Sequence, residues 1–164
     1  MKPSVYIETS VISALVDERE DIVTQAQRLL TEQWWERQAS KFGLFYGEAV
    51  AIELHSADFP RQKEALALLE KMEFLPVNDE IKGVASIYQD HFLMPQGAIG
   101  DAVHLATACF HEMDYLLTWN CRHLANTNKI QHIQAINLRL GLVTPILLTP
   151  QMLVAPEEND NEDK

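Results

Sequence analysis

Five short apolar runs alternate with helical patterns along this chain, and that alternation limits its fold more than any other feature. The runs are 4–7, 42–46, 74–77, 114–118 and 145–148. Helical patterns fall at 11–16, 21–38, 48–55, 60–69, 81–91, 100–111 and 128–140. Thr9 or Ser10 can cap the first helix, Asn78 or Asp79 the one after the third strand, and Gly141 ends the last. Within 21–38, Ile22, Ala26, Leu29, Leu30 and Trp34 lie on or near one face, which predicts a core-facing stripe. Strands alternating with helices predict an α/β three-layer sandwich, with a mainly parallel sheet of four or five strands flanked by helices. Right-handed crossovers then bring the C-terminal ends of the strands to one edge, where open α/β sheets bind ligands.

Polar residues interrupt the apolar runs at that edge. Val5-Tyr6-Ile7 runs into Glu8-Thr9-Ser10, and Tyr115-Leu116-Leu117 runs into Thr118-Trp119-Asn120. Two further acids, Glu53 and Asp101, sit in helical patterns between them. Carboxylates that converge repel one another unless something positive holds them, and a hard divalent cation is the usual answer. Glu48, five residues before Glu53, points about 140° away on a helix, so the two do not share one metal. Asn120 can cap the following helix or accept from a metal-bound water, and the residues leave both open. The pattern predicts a metal-dependent enzyme acting on phosphate.

Charge narrows the partners. The chain of 164 residues has a net charge of −11. The tail from Glu157 to Lys164 holds five acids and one lysine, a net −4, which leaves −7 on residues 1–156. An acidic body excludes a grip on nucleic acid through a broad basic surface and makes a basic protein partner plausible. Arg122 and His123, just past Asn120, are the local cations that could meet RNA phosphate. The tail, 156–164, reads as acidic and disordered, and 1–155 as one domain without repeat or linker. No run of about eighteen apolar residues exists for a transmembrane span. Cys109 and Cys121 make no disulfide framework, and the start, Met1-Lys2-Pro3-Ser4, lacks a signal-peptide pattern, so the expected location is cytoplasmic.

The order Tyr6-Ile7-Glu8-Thr9-Ser10, then Glu53, then Asp101-Ala102-Val103-His104-Leu105-Ala106, then Leu116-Leu117-Thr118-Trp119-Asn120 resembles the PIN-domain ribonucleases. It looks most like the VapC-type toxins of toxin–antitoxin pairs, over about residues 4 to 150. The resemblance implies Mg²⁺- or Mn²⁺-dependent endonucleolytic cleavage of RNA, a cognate antitoxin as partner, and a homodimer. It implies that Glu8, Glu53 and Asp101 hold the metal and act in catalysis with Asn120, while Thr9 and Thr118 orient the site. Glu8 falls where the family usually has Asp, and Asn120 where many members have a fourth Asp. Glu and Asn at these places look like a subgroup trait. They also admit a second reading, a PIN-like module that binds protein or RNA with little catalysis. A third is another metal-dependent phosphotransfer or phosphatase domain.

No Cys/His cluster with zinc spacing and no glycine-rich phosphate loop occurs. His104, one helical turn after Asp101, reads as a core histidine or one that supports the site from behind. Trp34 and Trp35 face about 100° apart, so an interface role for one stands beside simple packing.

Overall fold

The computed structural model describes residues 1–91 and 93–155; the expected acidic tail, 156–164, lies outside them. Its centre is a five-stranded sheet of β1 (Ser4–Ile7), β2 (Gly43–Gly47), β3 (Glu73–Leu75), β4 (Tyr115–Leu117) and β5 (Ile146–Leu148). The spatial order is β3-β2-β1-β4-β5, and every neighbouring pair is parallel. Seven α-helices flank it among the described residues: α1 (Thr9–Val16), α2 (Ile22–Arg37), α3 (Glu48–Ser56), α4 (Gln62–Leu69), α5 (Asp79–Asp90), α6 (Ile99–Phe110) and α7 (Thr127–Leu140). This is the expected α/β sandwich.

The chain winds outward from β1 through β2 to β3, then returns to the other side of β1 with β4 and β5. The strand order therefore reverses between β1 and β4. The crevice beyond the carboxyl ends of two such strands is where doubly wound sheets place ligands. Ile7 pairs in register with Leu117, so β1 and β4 end level with each other. Glu8 and Thr118, the next residues on each, stand side by side at this crevice.

Burial follows sheet position. Val5, Tyr6, Ile7, Leu116 and Leu117 have no exposed surface, as expected for inner parallel strands covered on both faces. Phe74 and Ile146, on the two edge strands, are about half exposed. Helices α1, α2 and α4 pack together, as do α5 and α6. Gly141 ends α7 at φ 70°, a left-handed turn that glycine adopts without a Cβ penalty.

Two local expectations need correction. The expected stripe on α2 holds only at its end: Trp34 is buried and Leu30 partly so, but Ile22 is 85% and Leu29 55% exposed. The buried face is Thr24, Thr31 and Trp34. Thr31 hydroxyl donates to Gln27 O and accepts from the indole N–H of Trp119 at 2.8 Å, so a polar partner across the interface set the helix rotation. Trp34 packs into the core against Phe42 at 6.0 Å, and Trp35 lies edge-on to it, partly buried. The second correction concerns α1, which is capped by Glu8 rather than by Thr9 or Ser10.

The two cysteines differ in a way that is simple to test. Cys109 is buried, and burial pushes its thiol up to about 11 although Tyr88 and Asn137 pull it back. Cys121 is exposed. A thiol reagent at mildly alkaline pH is expected to modify Cys121 alone in the native protein and both after denaturation, because the thiolate is the reactive form. Absorbance titration of wild type and Cys121→Ser checks this; fast native labelling that survives the substitution would contradict the burial of Cys109.

Candidate metal centre

Glu8 is the first residue past β1, and its backbone N–H bonds Leu117 O of β4 at 3.1 Å. Its side chain turns back over the start of α1. Oε2 accepts from Ser10 N–H (2.9 Å), from the Ser10 hydroxyl and from the Thr118 hydroxyl (2.9 Å). Those hydroxyls accept in turn from Trp119 N–H (2.8 Å) and Asn120 N–H (2.9 Å), so each spends its single proton on Glu8. The carboxylate is thereby held at the crevice, only 5% exposed, with Oε1 3.9 Å from His104 Nε2.

Glu53 arrives from α3, and its Oε1 accepts from His104 Nε2 at 2.9 Å. Thr9 hydroxyl stands 3.5 Å from the same nitrogen. The first turn of α6 approaches so closely that a Cβ on Gly100 would lie 2.6 Å from Glu53 Oε1. Any larger residue at position 100 would push this carboxylate aside. One atom each from Glu8, Glu53 and His104 lies within 4.8 Å of the others.

His104 is fully buried, and Tyr6 sits behind it with its hydroxyl 2.7 Å from Nδ1. An ionised carboxylate only accepts, so Nε2 carries the proton toward Glu53 and Nδ1 of the neutral ring accepts from Tyr6. Gly47, at the end of β2, makes room for this: a Cβ there would meet the Tyr6 hydroxyl at 2.6 Å. Burial and the charges of Glu8 and Glu53 hold the Tyr6 hydroxyl well above its ordinary pKa, so it stays a donor. Burial lowers the pKa of His104, but the Glu53 hydrogen bond and the charges of Glu8, Glu53 and Asp101 outweigh it, and the net shift is upward. Burial raises that of Glu53, yet the hydrogen bond and charge of His104, with Thr9 beside it, carry it below its usual value.

Asp101 lies on the first turn of α6, one turn before His104, and is not among the three converging groups. Its Oδ2 accepts from His123 Nδ1 at 2.8 Å. Asn120 caps the turn that leads to this contact: its Oδ1 accepts from His123 N–H at 3.0 Å. It does not cap the next helix, which Asn126 begins. Arg122 is exposed and makes no ion pair among the described residues. His123 is partly buried, with Nδ1 against Asp101. Of the residues expected from the sequence, Glu8, Glu53, Thr9 and Thr118 lie at the crevice, while Asp101 and Asn120 meet at His123 on the adjoining turn. Tyr6, Ser10, Gly47 and Gly100, which sequence reasoning did not mark, also shape the crevice. The signal for Tyr6 was there, since residues i and i+2 of a strand share a face and Tyr6 precedes Glu8 by two.

No protein-family model and no curated protein sequence matches the chain. Solved structures do. A toxin–antitoxin complex from Klebsiella pneumoniae superposes with a TM-score of 0.56 at 16% identity, over 77% of this chain and 94% of that one. The Mycobacterium tuberculosis toxin VapC20, described as cleaving the sarcin–ricin loop, gives 0.53 at 12% identity, over 69% and 87%. FitAcB from Neisseria gonorrhoeae gives 0.56 at 13% identity, over 91% and 99%. The fold is PIN-like. At these identities the PIN-like architecture is what the likeness shows. The chain spans nearly the whole length of each of these structures.

Proposed function

We propose that this protein is a metal-dependent endoribonuclease, hydrolysing RNA phosphodiester bonds as the VapC-like toxin of a toxin–antitoxin pair. It acts as one unit over residues 1–155 and belongs to a subgroup with Glu and Asn at the first and fourth acidic positions. One observation carries the reading: at the β1/β4 crevice of a PIN-like fold, the carboxylates of Glu8 and Glu53 converge, with Asp101 on the adjoining helix turn. Two of the structural neighbours are named as toxins or toxin–antitoxin assemblies, one of them cleaving an RNA loop, which supports the activity and the partner.

The donor set fits a hard cation. Glu8 and Glu53 converge in a partly buried crevice with Asp101 on the adjoining turn of α6, and their oxygens and negative charge suit Mg²⁺ or Mn²⁺. When bound, such a cation stabilises charge on phosphate oxygens and activates a water for attack. Glu8, Glu53 and Asp101 would hold it. Ser10 and Thr118 fix Glu8 in place, and His104 fixes Glu53. A cleft of about 450 Å³ opens beside Thr9 and Glu53, walled by Val16, Leu54, Phe59 and Pro60 with Asp17, Glu18 and Arg19, and gives substrate room next to Glu53.

The expected partners are RNA, a cognate antitoxin and a second copy of the chain, in the cytoplasm. A groove between α1, α2 and α4 presents Leu15, Trp35 and Leu68 within a rim of mixed charge, Glu32 and Glu36 beside Lys71 and the Arg61–Glu64 ion pair. Its apolar floor suits an amphipathic segment. Among the described residues no helix is long and apolar enough to cross a membrane.

Purified protein incubated with total RNA is expected to give discrete cleavage in Mn²⁺ or Mg²⁺, none in EDTA, and none from Asp101→Asn. Cleavage that persists in the variant would place the activity elsewhere. Folded wild type that leaves RNA intact would favour the second reading, a non-cleaving binding module, to which the commitment of Asn120 and His123 to a turn lends support.

A further inference from the structure

The apolar periodicity of α2 points outward, and it forms a continuous face. At 100° per residue, Ile22, Val23, Ala26, Leu29, Leu30 and Gln33 fall within an arc of about 120°, with Arg37 at its C-terminal end. All of them are exposed except Leu30, which is partly so. The arc holds no acid. Glu32 and Glu36, the acids of α2, line the groove toward α1 and α4 instead. The C-terminal half of the face continues into a hollow of about 200 Å³, where Leu30, Gln33 and Arg37 meet Pro150 and Val154. Resting on the second-copy reading above, and on no step of the nuclease chemistry, we infer that two copies of the chain pair through this face. Their α2 helices lie antiparallel about a two-fold axis.

Size favours a protein partner. Ile22, Leu29, Val23 at 64% exposure and Val154 at 63% give an apolar patch on the order of several hundred Å², the size at which exposed patches mark interaction sites. Gln33, Arg37 and the margin of the hollow extend it toward the roughly 800 Å² that each partner gives to a stable interface. Charge selects a second copy. With a net charge of −11, two chains repel unless they meet where acids are absent. The ends of the face complement each other: Asp21 caps the N-terminus of α2 with Glu20 just before it, and Arg37 lies in the last turn. An axis between Leu29 and Leu30 sets Ala26 opposite Gln33, where the small side chain admits close approach. It also brings each Arg37 to the Asp21 end of the other helix. A parallel pair would instead set Arg37 against Arg37 and Asp21 against Asp21, and would align the two helix dipoles.

Sedimentation equilibrium of the full chain tests this without reference to cleavage. Wild type is expected to be a dimer at micromolar concentration. Leu29→Glu is expected to raise the dimer dissociation constant by about a hundredfold or more, because the change occurs on both sides of the axis, with circular dichroism unchanged. Ile146→Glu, an equally exposed apolar site on the edge strand β5, is expected to leave the dimer intact. Arg37→Glu is expected to weaken pairing, and Arg37→Glu with Glu20→Arg to restore most of it. A folded Leu29→Glu that dimerises like wild type would overturn the inference and leave the second-copy reading to another face. Failure of the charge exchange to restore pairing would overturn the antiparallel arrangement. Monomeric wild type would remove both the inference and the second-copy reading, with the nuclease reading untouched. Should Leu29→Glu fail to fold, Ala26→Glu, at an exposed position on the same face, decides.

Discussion

Glu53→Gln is expected to lower RNA cleavage by about 10³-fold while leaving the fold in place. The reasoning separates what this side chain does for structure from what it does for a cation. Its structural partner is His104, whose Nε2–H is donated to Oε1 at 2.9 Å. A glutamine carbonyl accepts that same bond, and the side chain is 38% exposed, so the stability change is expected within about 1 kcal/mol. The amide removes one of the two negative charges of the Glu8–Glu53 pair and replaces the oxygen not bonded to His104 with an N–H donor. A metal supplies several kcal/mol of transition-state charge stabilisation, and about 1.4 kcal/mol is a tenfold rate. Cleavage of a defined RNA under fixed Mn²⁺, with thermal unfolding run beside it, checks both halves. A variant that cleaves at the wild-type rate would remove Glu53 from the ligand set.

The positions of the acids were legible in the sequence because they depend on sheet topology. An apolar run, an acid and a helical pattern are enough to place Glu8 past β1, and the parallel sheet then places Thr118 beside it. What escaped is how each carboxylate is held, because that depends on contacts between residues far apart in sequence. Tyr6 meets His104 across 98 positions, and Thr118 meets Glu8 across 110. The same cause explains α2. Its apolar periodicity pointed to Ile22 and Leu29, but the need of Trp119 for an acceptor and the packing of Trp34 on Phe42 turned Thr31 inward. Hydrophobic period gave the existence of that helix, and the packing of Trp34 on Phe42 together with the Trp119–Thr31 bond goes with its rotation. The local roles of Glu8 and Asn120 became clear only in three dimensions. Glu8 caps α1, and Asn120 builds a turn.

His104→Ala is expected to destabilise the metal-free protein by about 3–5 kcal/mol, and Mn²⁺ is expected to restore part of the loss. Three effects act in the same direction. The ring is fully buried, so its removal leaves a cavity next to Tyr6. The Tyr6 hydroxyl, also fully buried, loses the acceptor it reaches at 2.7 Å. Glu53, whose side chain is 38% exposed, loses the donor it meets at 2.9 Å, which adds a smaller cost. For a domain whose whole stability is about 5–15 kcal/mol, this is a large share. The carboxylates themselves remain. A cation that binds only the native state stabilises it by about 2.7 kcal/mol at a hundredfold excess over its dissociation constant. Because the variant faces the cation with less internal compensation, its unfolding midpoint is expected to rise more with Mn²⁺ than that of wild type. Chemical denaturation with and without Mn²⁺ measures this directly. A variant as stable as wild type would mean that the imidazole does not hold the two acids together. Equal absence of a Mn²⁺ response in both proteins would mean that these carboxylates do not bind the ion.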